Sequence, residues 1–437
     1  MRSEVRVDAL GNLVLRGDLA GFEGEPSQSE GEAILVGPPS GKNLAALRTL
    51  YPWLQPKPLG LSCSAGFGDR LGLATPGHIK ALRHVAGNIA PVFAQQSMRE
   101  NARTHRTPKD VLNAAVWAAF RADWREGFGA DADHVKLEAD VDDCVRAGYS
   151  LFTFDPGDFV HRPCSWSELE DTRSNAVRRY TRRRIADVEI MPEAVDRALA
   201  KYGKVVVRAS ELYRHLRSVA TSPVEVEISV DETEDPTSPA EHVFLVTELR
   251  RLGVEFISLA PRFEGRFEKG VDYIGSVARF ARSFAQHADI ARELGPYKLS
   301  LHSGSDKFAI YEMAARLSGR MVHLKTAGTS YLEALRVVAH IDPNLFGEIF
   351  QLALERFPIE RATYHVSADV DRARLTPGSD ALDQFDTRQI LHVTFGSVLD
   401  RYGDQILELL RRHAAAYTAT IEKHFIRHLT PFAMSTA

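Results

Sequence analysis

The chain has 437 residues, of which 44% are hydrophobic and 26% charged, and its formal net charge is −4. This is the composition of a globular protein with room for one large domain plus additions or for two domains. The near-neutral charge gives no indication of nucleic acid as a partner, and no apolar stretch reaches the roughly 18 residues needed to cross a bilayer. With three scattered cysteines and no signal-peptide pattern, we expect a soluble cytoplasmic protein.

Eight apolar runs alternate with helical patterns along most of the chain. The predicted strands are residues 59–65, 88–95, 130–137, 149–155, 224–231, 256–262, 298–303 and 321–326. Residues 238–252 are typical of the helices between them, with apolar side chains at helical spacing and Gly253 as the C-cap. Alternating strands and helices predict a parallel sheet. Eight such units favour a closed (β/α)8 TIM-type barrel over the alternative, a doubly wound open sheet.

The later predicted strands have one polar and one apolar face. In the strand at 298–303, for example, Lys298, Ser300 and His302 alternate with two leucines. A parallel strand covered on both faces by other layers should instead be apolar throughout. A barrel with a polar lumen that a substrate can enter explains the alternation.

Three regions lie outside the eight-unit pattern. Residues 1–55 are predicted to form an N-terminal extension of the barrel, which spans 56–335, and residues 336–437 a helical C-terminal region packed on it. A long insertion, residues 156–222, follows the fourth strand. It contains a basic helix at 173–184, which we interpret as a solvated face or a contact in a homo-oligomer.

Two glycine-containing segments suggest turns. Residues 37–43 are too short between their glycines for a phosphate-binding loop and are predicted to be a turn. Residues 66–70 follow the first predicted strand and end in Asp69 and Arg70. Arg70 is a candidate for binding a substrate carboxylate on the active face of a barrel, and the alternative is a simple pair with Asp69.

Three of the predicted strands end in polar clusters that contain a histidine. His134, His302 and His323 end strands three, seven and eight, and Asp231 and Glu232 end strand five. In barrels these strand ends meet on the face where active sites are built. Neutral imidazoles with a carboxylate suit Zn, Mn, Ni or Fe, so a divalent metal site is predicted. The alternative is a polar hydrogen-bond network in a sugar-binding barrel.

Further polar residues at strand ends are candidates for binding a substrate. Asp155 ends strand four and suits acid-base work or contacts with hydroxyl groups. Arg262 ends strand six, and an arginine can hold a carboxylate through two hydrogen bonds. Lys307 and Lys325 are additional cations. For each of these residues the alternative is a salt bridge or a helix cap.

Seven segments between residues 60 and 340 stand in the order known from one enzyme family. They include GFGDRLGLATPGHI at 66–79, AGYSLFTFDPGDFV at 147–160, SLAPRFEGRFEKGVDYIG at 258–275 and HLKTAGTSYLEALR at 323–336. These segments resemble the tagaturonate/fructuronate epimerases of bacterial hexuronate breakdown. The resemblance implies a metal-dependent barrel enzyme that interconverts two ketohexuronates differing at one hydroxyl-bearing carbon.

The resemblance also implies roles for individual residues. It implies His134, His302 and His323 as ligands of the divalent metal. It implies Asp133, together with an acid of the Asp231–Glu232 pair, as the groups that carry protons.

Two routes can invert such a carbon. A base and an acid can exchange its proton on opposite faces, or a retro-aldol cleavage can release an aldehyde that rotates and adds back. We favour the retro-aldol route, because the inverted carbon is expected to lie one position beyond the acidic one. Other functions that suit the same barrel are a metal-dependent sugar aldolase or isomerase, and a non-catalytic, aldolase-associated subunit that binds sugar.

Overall fold

The computed structural model of the chain begins with a small antiparallel sheet ahead of a large barrel. The structure describes residues 4–8, 11–17, 20–29, 32–182, 184–374 and 378–433. The sheet has the spatial order β1-β2-β4-β3, and its strands are β1 (Glu4–Val7), β2 (Leu13–Arg16), β3 (Glu25–Ser29) and β4 (Glu32–Gly37). Helix α1 (Gly41–Leu50) follows, and the side chain of Ser40 caps it by accepting from the amide of Asn43. The turn predicted at 37–43 therefore leads into a helix.

The centre of the molecule is a closed barrel of eight parallel strands, which confirms the predicted (β/α)8 fold. Its strands are β5 (Ser64–Gly68), β6 (Ala90–Ser97), β7 (Gly129–Val135), β8 (Leu151–Phe154), β9 (Glu225–Ser229), β10 (Ser258–Ala260), β11 (Lys298–Leu301) and β12 (Val322–Thr326). The ring closes where β12 pairs with β5. Every predicted strand overlaps one of these, but the first begins at Ser64 and not at 59. The amides of Leu59 and Gly60 instead donate to the carboxylate of Glu225.

Helices surround the barrel and continue to the end of the described chain. They are α2 (Thr75–Val85), α3 (Met98–Arg103), α4 (Pro108–Arg121), α5 (Glu138–Ala147), α6 (Arg173–Thr181), α7 (Pro192–Val219), α8 (Pro239–Arg251), α9 (Val277–Glu293), α10 (Phe308–Leu317), α11 (Thr329–Ile341), α12 (Pro343–Glu360), α13 (Phe385–Val393), α14 (Phe395–Arg412) and α15 (Ala414–Leu429). Helix α7 ends the segment predicted as an insertion, but it packs beside α5 and α8 and so belongs to the helical ring. Within the described ranges, no helix is long and apolar enough to span a membrane.

The basic helix α6 is held by carboxylates of the same chain. Arg173 pairs with Asp196, and Arg179 pairs with the buried Glu248 at 2.8 Å. Arg183, which the sequence places at the end of this basic run, lies outside the described residues. Part of the positive charge of the helix is therefore neutralised within the protein.

Two buried histidines join α8 to α9 on the outside of the barrel. Nδ1 of His242 lies 2.8 Å from Nδ1 of His287, and the hydroxyl of Tyr297 lies 2.7 Å from Nε2 of His242. All three side chains are fully buried. Burial lowers the pKa of both histidines, that of His287 to about 4, because a protonated imidazole would lose its hydration here.

We predict that the protein loses stability as the pH falls from about 6.5 towards 4. Unfolded histidines have a pKa of about 6.5, so in this window the unfolded chain binds more protons than the folded one, and linkage favours unfolding. Urea denaturation should give a lower free energy of unfolding near pH 5 than near pH 7.5. His287→Gln should reduce this difference, since it removes one titrating group, and an undiminished difference would contradict the assignment.

Candidate active site

A cavity of about 430 Å³ opens at the carboxyl ends of the barrel strands. Its wall is formed by the loops after β9 (231–234), β10 (261–269) and β11 (302–303), together with residues 363–365 from the C-terminal region. Active sites of barrel enzymes are built on this face. The volume lies within the range of small-molecule sites.

Three side chains at this face lie close enough to share one cation. His134, Asp231 and His302 each offer a ligand atom, and these atoms all lie within 4.8 Å of one another. Nδ1 of His302 lies 3.0 Å from the Asp231 carboxylate. Its Nε2 lies 2.6 Å from the buried carboxylate of Glu227, a partner of the kind that orients metal-binding histidines. Two imidazoles and a carboxylate form a donor set that fits Zn, Mn, Ni or Fe.

His134 reaches the cluster through an irregularity in β7. The register between β7 and β8 shifts between Ala132 and Val135, and His134 has a φ of 55°. This bulge re-aims the side chain, so that Nδ1 of His134 lies 3.3 Å from the carboxylate of its neighbour Asp133. Burial opposes protonation of the ring, but the Asp133 carboxylate raises the pKa of His134 to about 10. A left-handed backbone at a non-glycine residue costs about 1–3 kcal/mol and is common at functional sites.

One buried lysine is the shared ion-pair partner of three carboxylates in the lumen. Nζ of Lys325 lies 2.7 Å from Asp131, 2.7 Å from Asp133 and 3.0 Å from Glu227. It also donates to the hydroxyl of Thr153 at 2.6 Å. Burial alone would lower the pKa of Lys325, but the carboxylates raise it well above its usual value. The sequence suggested Lys325 as a cation for the substrate, and the structure corrects this, since its ammonium is already paired with these acids.

His323 lies deeper in the lumen than the predicted metal site. It faces inward as the alternation predicts, but it pairs in register with Ser300, two residues before His302. Its Nδ1 lies 2.9 Å from the hydroxyl of Ser64. Among the described residues, the cluster contains Asp231 where the prediction had His323. The alternation of residues along a strand shows which face a side chain occupies but not how deep in the barrel it lies. The predicted ligand set is therefore corrected, with Asp231 in the place of His323.

The predicted acid-base residues have different surroundings. Asp133 is buried against Lys325, and Asp231 accepts from the hydroxyl of Ser229 at 2.5 Å. Glu232 lines the cavity, where its carboxylate lies 3.9 Å from a guanidinium nitrogen of Arg99. Glu232 is therefore the acid of this set with the weakest internal pairing.

Arg70 is not available to a substrate. Its guanidinium donates to the buried carboxylate of Glu100 at 2.5 and 2.8 Å and lies 3.6 Å from the ring centroid of Phe395. It does not pair with Asp69 either, whose carboxylate accepts from the backbone amides of its own loop. Arg70 is not among the residues that line the cavity, and its charge is already paired with Glu100, so both the predicted substrate contact and the alternative pair with Asp69 are corrected.

Lys307 is also saturated within the protein. Its ammonium donates to the carbonyl oxygens of Glu268, Val271 and Ser305 at 2.8, 2.5 and 2.9 Å. An ammonium has three N–H donors, so none is left for a substrate. Burial lowers the pKa of Lys307 to about 7. Lys307 thus fixes the loop after β10, and its predicted contact with the substrate is corrected.

Two further candidates differ in their access to the cavity. Arg262 lines it, but Nε and Nη1 donate to the carbonyl oxygens of Thr233 and Phe263, both at 3.2 Å. Asp155 is buried beside Lys136, whose Nζ lies 3.4 Å from its carboxylate. Arg262 therefore cannot present its whole fork to a carboxylate, and Asp155 is not among the residues that form the cavity wall.

The ligand atoms of a second candidate metal cluster already have partners within the protein. Asp306, His424 and His428 come together where α15 packs on the loop after β11. The guanidinium of Arg388 lies 3.1 Å from the Asp306 carboxylate, and the amide of Asp306 donates to Nε2 of His428 at 3.0 Å. These contacts join α15 to the barrel. They also use the carboxylate oxygen of Asp306 and the imidazole nitrogen of His428 that would otherwise bind a cation.

Comparison with known proteins places the chain among epimerases. A family model described as tagaturonate epimerase matches residues 13–432. A tagaturonate/fructuronate epimerase from Thermotoga maritima is 40% identical over 424 residues, which cover 92% of this chain and 87% of that protein. The native crystal structure of fructuronate-tagaturonate epimerase from Cohnella laeviribosi matches with a TM-score of 0.88 and 32% identity, over 99% of this chain and 94% of that one. A glycerol complex of the same enzyme gives a TM-score of 0.87 at 31% identity, over the same shares of the two chains.

We predict that Lys325→Met lowers the free energy of unfolding by about 3–5 kcal/mol, because three buried carboxylates lose their common counter-ion. Urea denaturation near neutral pH measures the change. Lys80→Met is the matched control, since Lys80 is exposed on α2 and its loss should change stability by no more than about 0.5 kcal/mol. Equal stabilities for the two variants would contradict the proposed role of Lys325.

Proposed function

We propose that this chain, which belongs to the tagaturonate epimerase family, interconverts tagaturonate and fructuronate. The observation that carries the proposal is the combination of similarity over most of both chains with a polar cluster at the barrel mouth. His134, Asp231 and His302 stand together there, and two of them line a cavity of suitable size. A small polyhydroxylated acid fits a cavity whose wall contains both acids and cations.

We propose that the reaction depends on a divalent cation held by His134, Asp231 and His302. Support comes from the donor set and from Glu227, whose carboxylate orients the ring of His302 through its second nitrogen. When bound, such a cation supplies stabilisation of the negative charge that develops on the ketone oxygen of the substrate. Zn, Mn, Ni and Fe all accept this mixture of nitrogen and oxygen donors.

The favoured route is a retro-aldol step and its reversal. Tagaturonate and fructuronate are expected to differ at a carbon one position beyond the carbon next to the ketone, by analogy with tagatose and fructose, and its C–H bond is not acidic. A carboxylate accepts the proton of the hydroxyl on this carbon while the adjacent C–C bond breaks, and the bonding electrons form an enolate beside the ketone. The aldehyde rotates, the C–C bond forms on its other face, and the proton returns.

Two carboxylates are proposed to carry the proton. Asp133 is held in place by Lys325 and lies beside His134, which fixes its position next to the cluster. Glu232 lines the cavity. Direct removal and return of the carbon-bound proton by the same two acids remains the second route. Arg262 is proposed to contact the hydroxyl groups of the substrate with its remaining nitrogen.

Turnover by metal-stripped protein tests the function. Single divalent ions are added back, tagaturonate or fructuronate is supplied in D₂O, and products are identified by NMR. We expect metal-restored interconversion without deuterium at the inverted carbon, whereas deuterium there would favour the direct proton route. Cleavage or carbonyl migration as the main outcome would contradict the epimerase in favour of an aldolase or isomerase. Absence of any turnover would favour a sugar-binding subunit.

We predict that His302→Ala abolishes metal binding and turnover together while the protein stays folded. The reason is that the mutation removes a ligand at the end of β11 but leaves the apolar layer around the barrel unchanged. Metal content per chain, circular dichroism and turnover are the measurements. His84→Ala, at an exposed position on α2, is the control that keeps both metal and rate. Retention of metal and rate in His302→Ala would remove His302 from the ligand set.

A further inference from the structure

The proposed substrates carry a carboxylate at the end of the carbon chain away from the ketone. A site that prefers them to neutral ketohexoses needs a cation that is not already paired. Arg70 and Lys325 are paired with buried carboxylates. Lys307 is saturated by three carbonyl oxygens. None of these three can therefore provide the selectivity.

The cations on the cavity wall are Arg262, Arg266 and Lys269. Two nitrogens of Arg262 donate to backbone carbonyls, and a nitrogen of the exposed Arg266 lies 3.4 Å from the buried carboxylate of Glu268. Lys269 is half-buried and, within the part of the chain that the structure describes, forms neither a hydrogen bond nor an ion pair. Its charge acts on the buried carboxylate of Glu100, but that carboxylate is already paired with Arg70 at 2.5 Å. Among the three cations of this wall, Lys269 is thus the one whose charged group has no hydrogen-bonded or ion-paired partner in the described chain.

The backbone on both sides of Lys269 is held firmly in place. The carbonyl of Glu268 accepts from Lys307 at 2.8 Å, and the carbonyl of Gly270 accepts from Arg388 at 2.6 Å. These contacts order the loop after β10 without using the Lys269 side chain. An ordered loop that places a lysine in the wall of a cavity lowers the entropic cost of binding an anion there.

We propose that Lys269 binds the terminal carboxylate of the substrate and so selects ketohexuronates over neutral ketohexoses. The inference rests on the proposed epimerase function. His302 and Lys269 line the same cavity, so one wall receives the ketone end of the substrate and another its carboxylate. Lysine suits this role as a compact charge at the end of a flexible stem.

Kinetics with two substrates test the proposal. For Lys269→Met the KM for tagaturonate should rise about 10- to 100-fold, the loss expected when a charge-assisted hydrogen bond is removed. The kcat/KM for neutral tagatose should stay within about twofold of wild type, since tagatose has no carboxylate. Lys269→Arg should recover part of the affinity because it keeps the charge. Arg266→Met is the matched control from the same loop, with a smaller rise in KM.

Three outcomes would overturn the proposal. They are an unchanged KM for tagaturonate in folded Lys269→Met, an equal loss with tagatose, and an equal rise in KM for Arg266→Met. Calorimetric binding of galactonate, a sugar acid without a ketone, keeps the test independent of turnover. If wild type binds galactonate but catalyses nothing, the proposed function fails while Lys269→Met still decides the role of Lys269. Equal galactonate affinity in the two proteins would overturn that role.

Discussion

The ion cluster around Lys325 is the interaction on which the rest of the site depends. Three buried carboxylates in one lumen would repel each other and lose hydration, which makes such an arrangement unstable without a common counter-ion. Lys325 supplies that charge within 3.0 Å of each acid. With the lysine in place, Asp133 and Glu227 are kept as carboxylates at fixed positions. They can then act on His134 and His302, the two histidines of the proposed metal site.

Much of this arrangement follows from the alternation of residues along the strands. The sequence predicts the barrel, the polar lumen, and the approach of His134 to His302, because these require only strand order and strand parity. How deep each side chain lies in the barrel lumen could not be predicted from the sequence, and His323 illustrates the reason. Its position is set by the register of β12 against β11, which depends on pairing between segments that carry no signature of that register.

Contacts between loops were equally invisible in the sequence. Lys307 is saturated by carbonyls of a loop that lies almost forty residues earlier in the chain, and Arg70 packs against Phe395 from the C-terminal helices. Such partners have no periodic pattern, so a cation at a strand end resembles a substrate ligand until the fold is known. Lys269 is the opposite case, since nothing in the sequence distinguished it as a substrate ligand. Its proposed role follows only from the structure, in which the neighbouring cations have partners and Lys269 lines the cavity.

The most direct test of the account is the location of a bound cation. Crystals grown with Mn²⁺ or Zn²⁺ and measured at the absorption edge of the metal would give an anomalous difference map. We expect one strong peak among His134, Asp231 and His302, at about 2.0–2.2 Å from their ligand atoms. A peak at His323, or at Asp306 with His424 and His428, would contradict it, as would the absence of any peak at the barrel mouth.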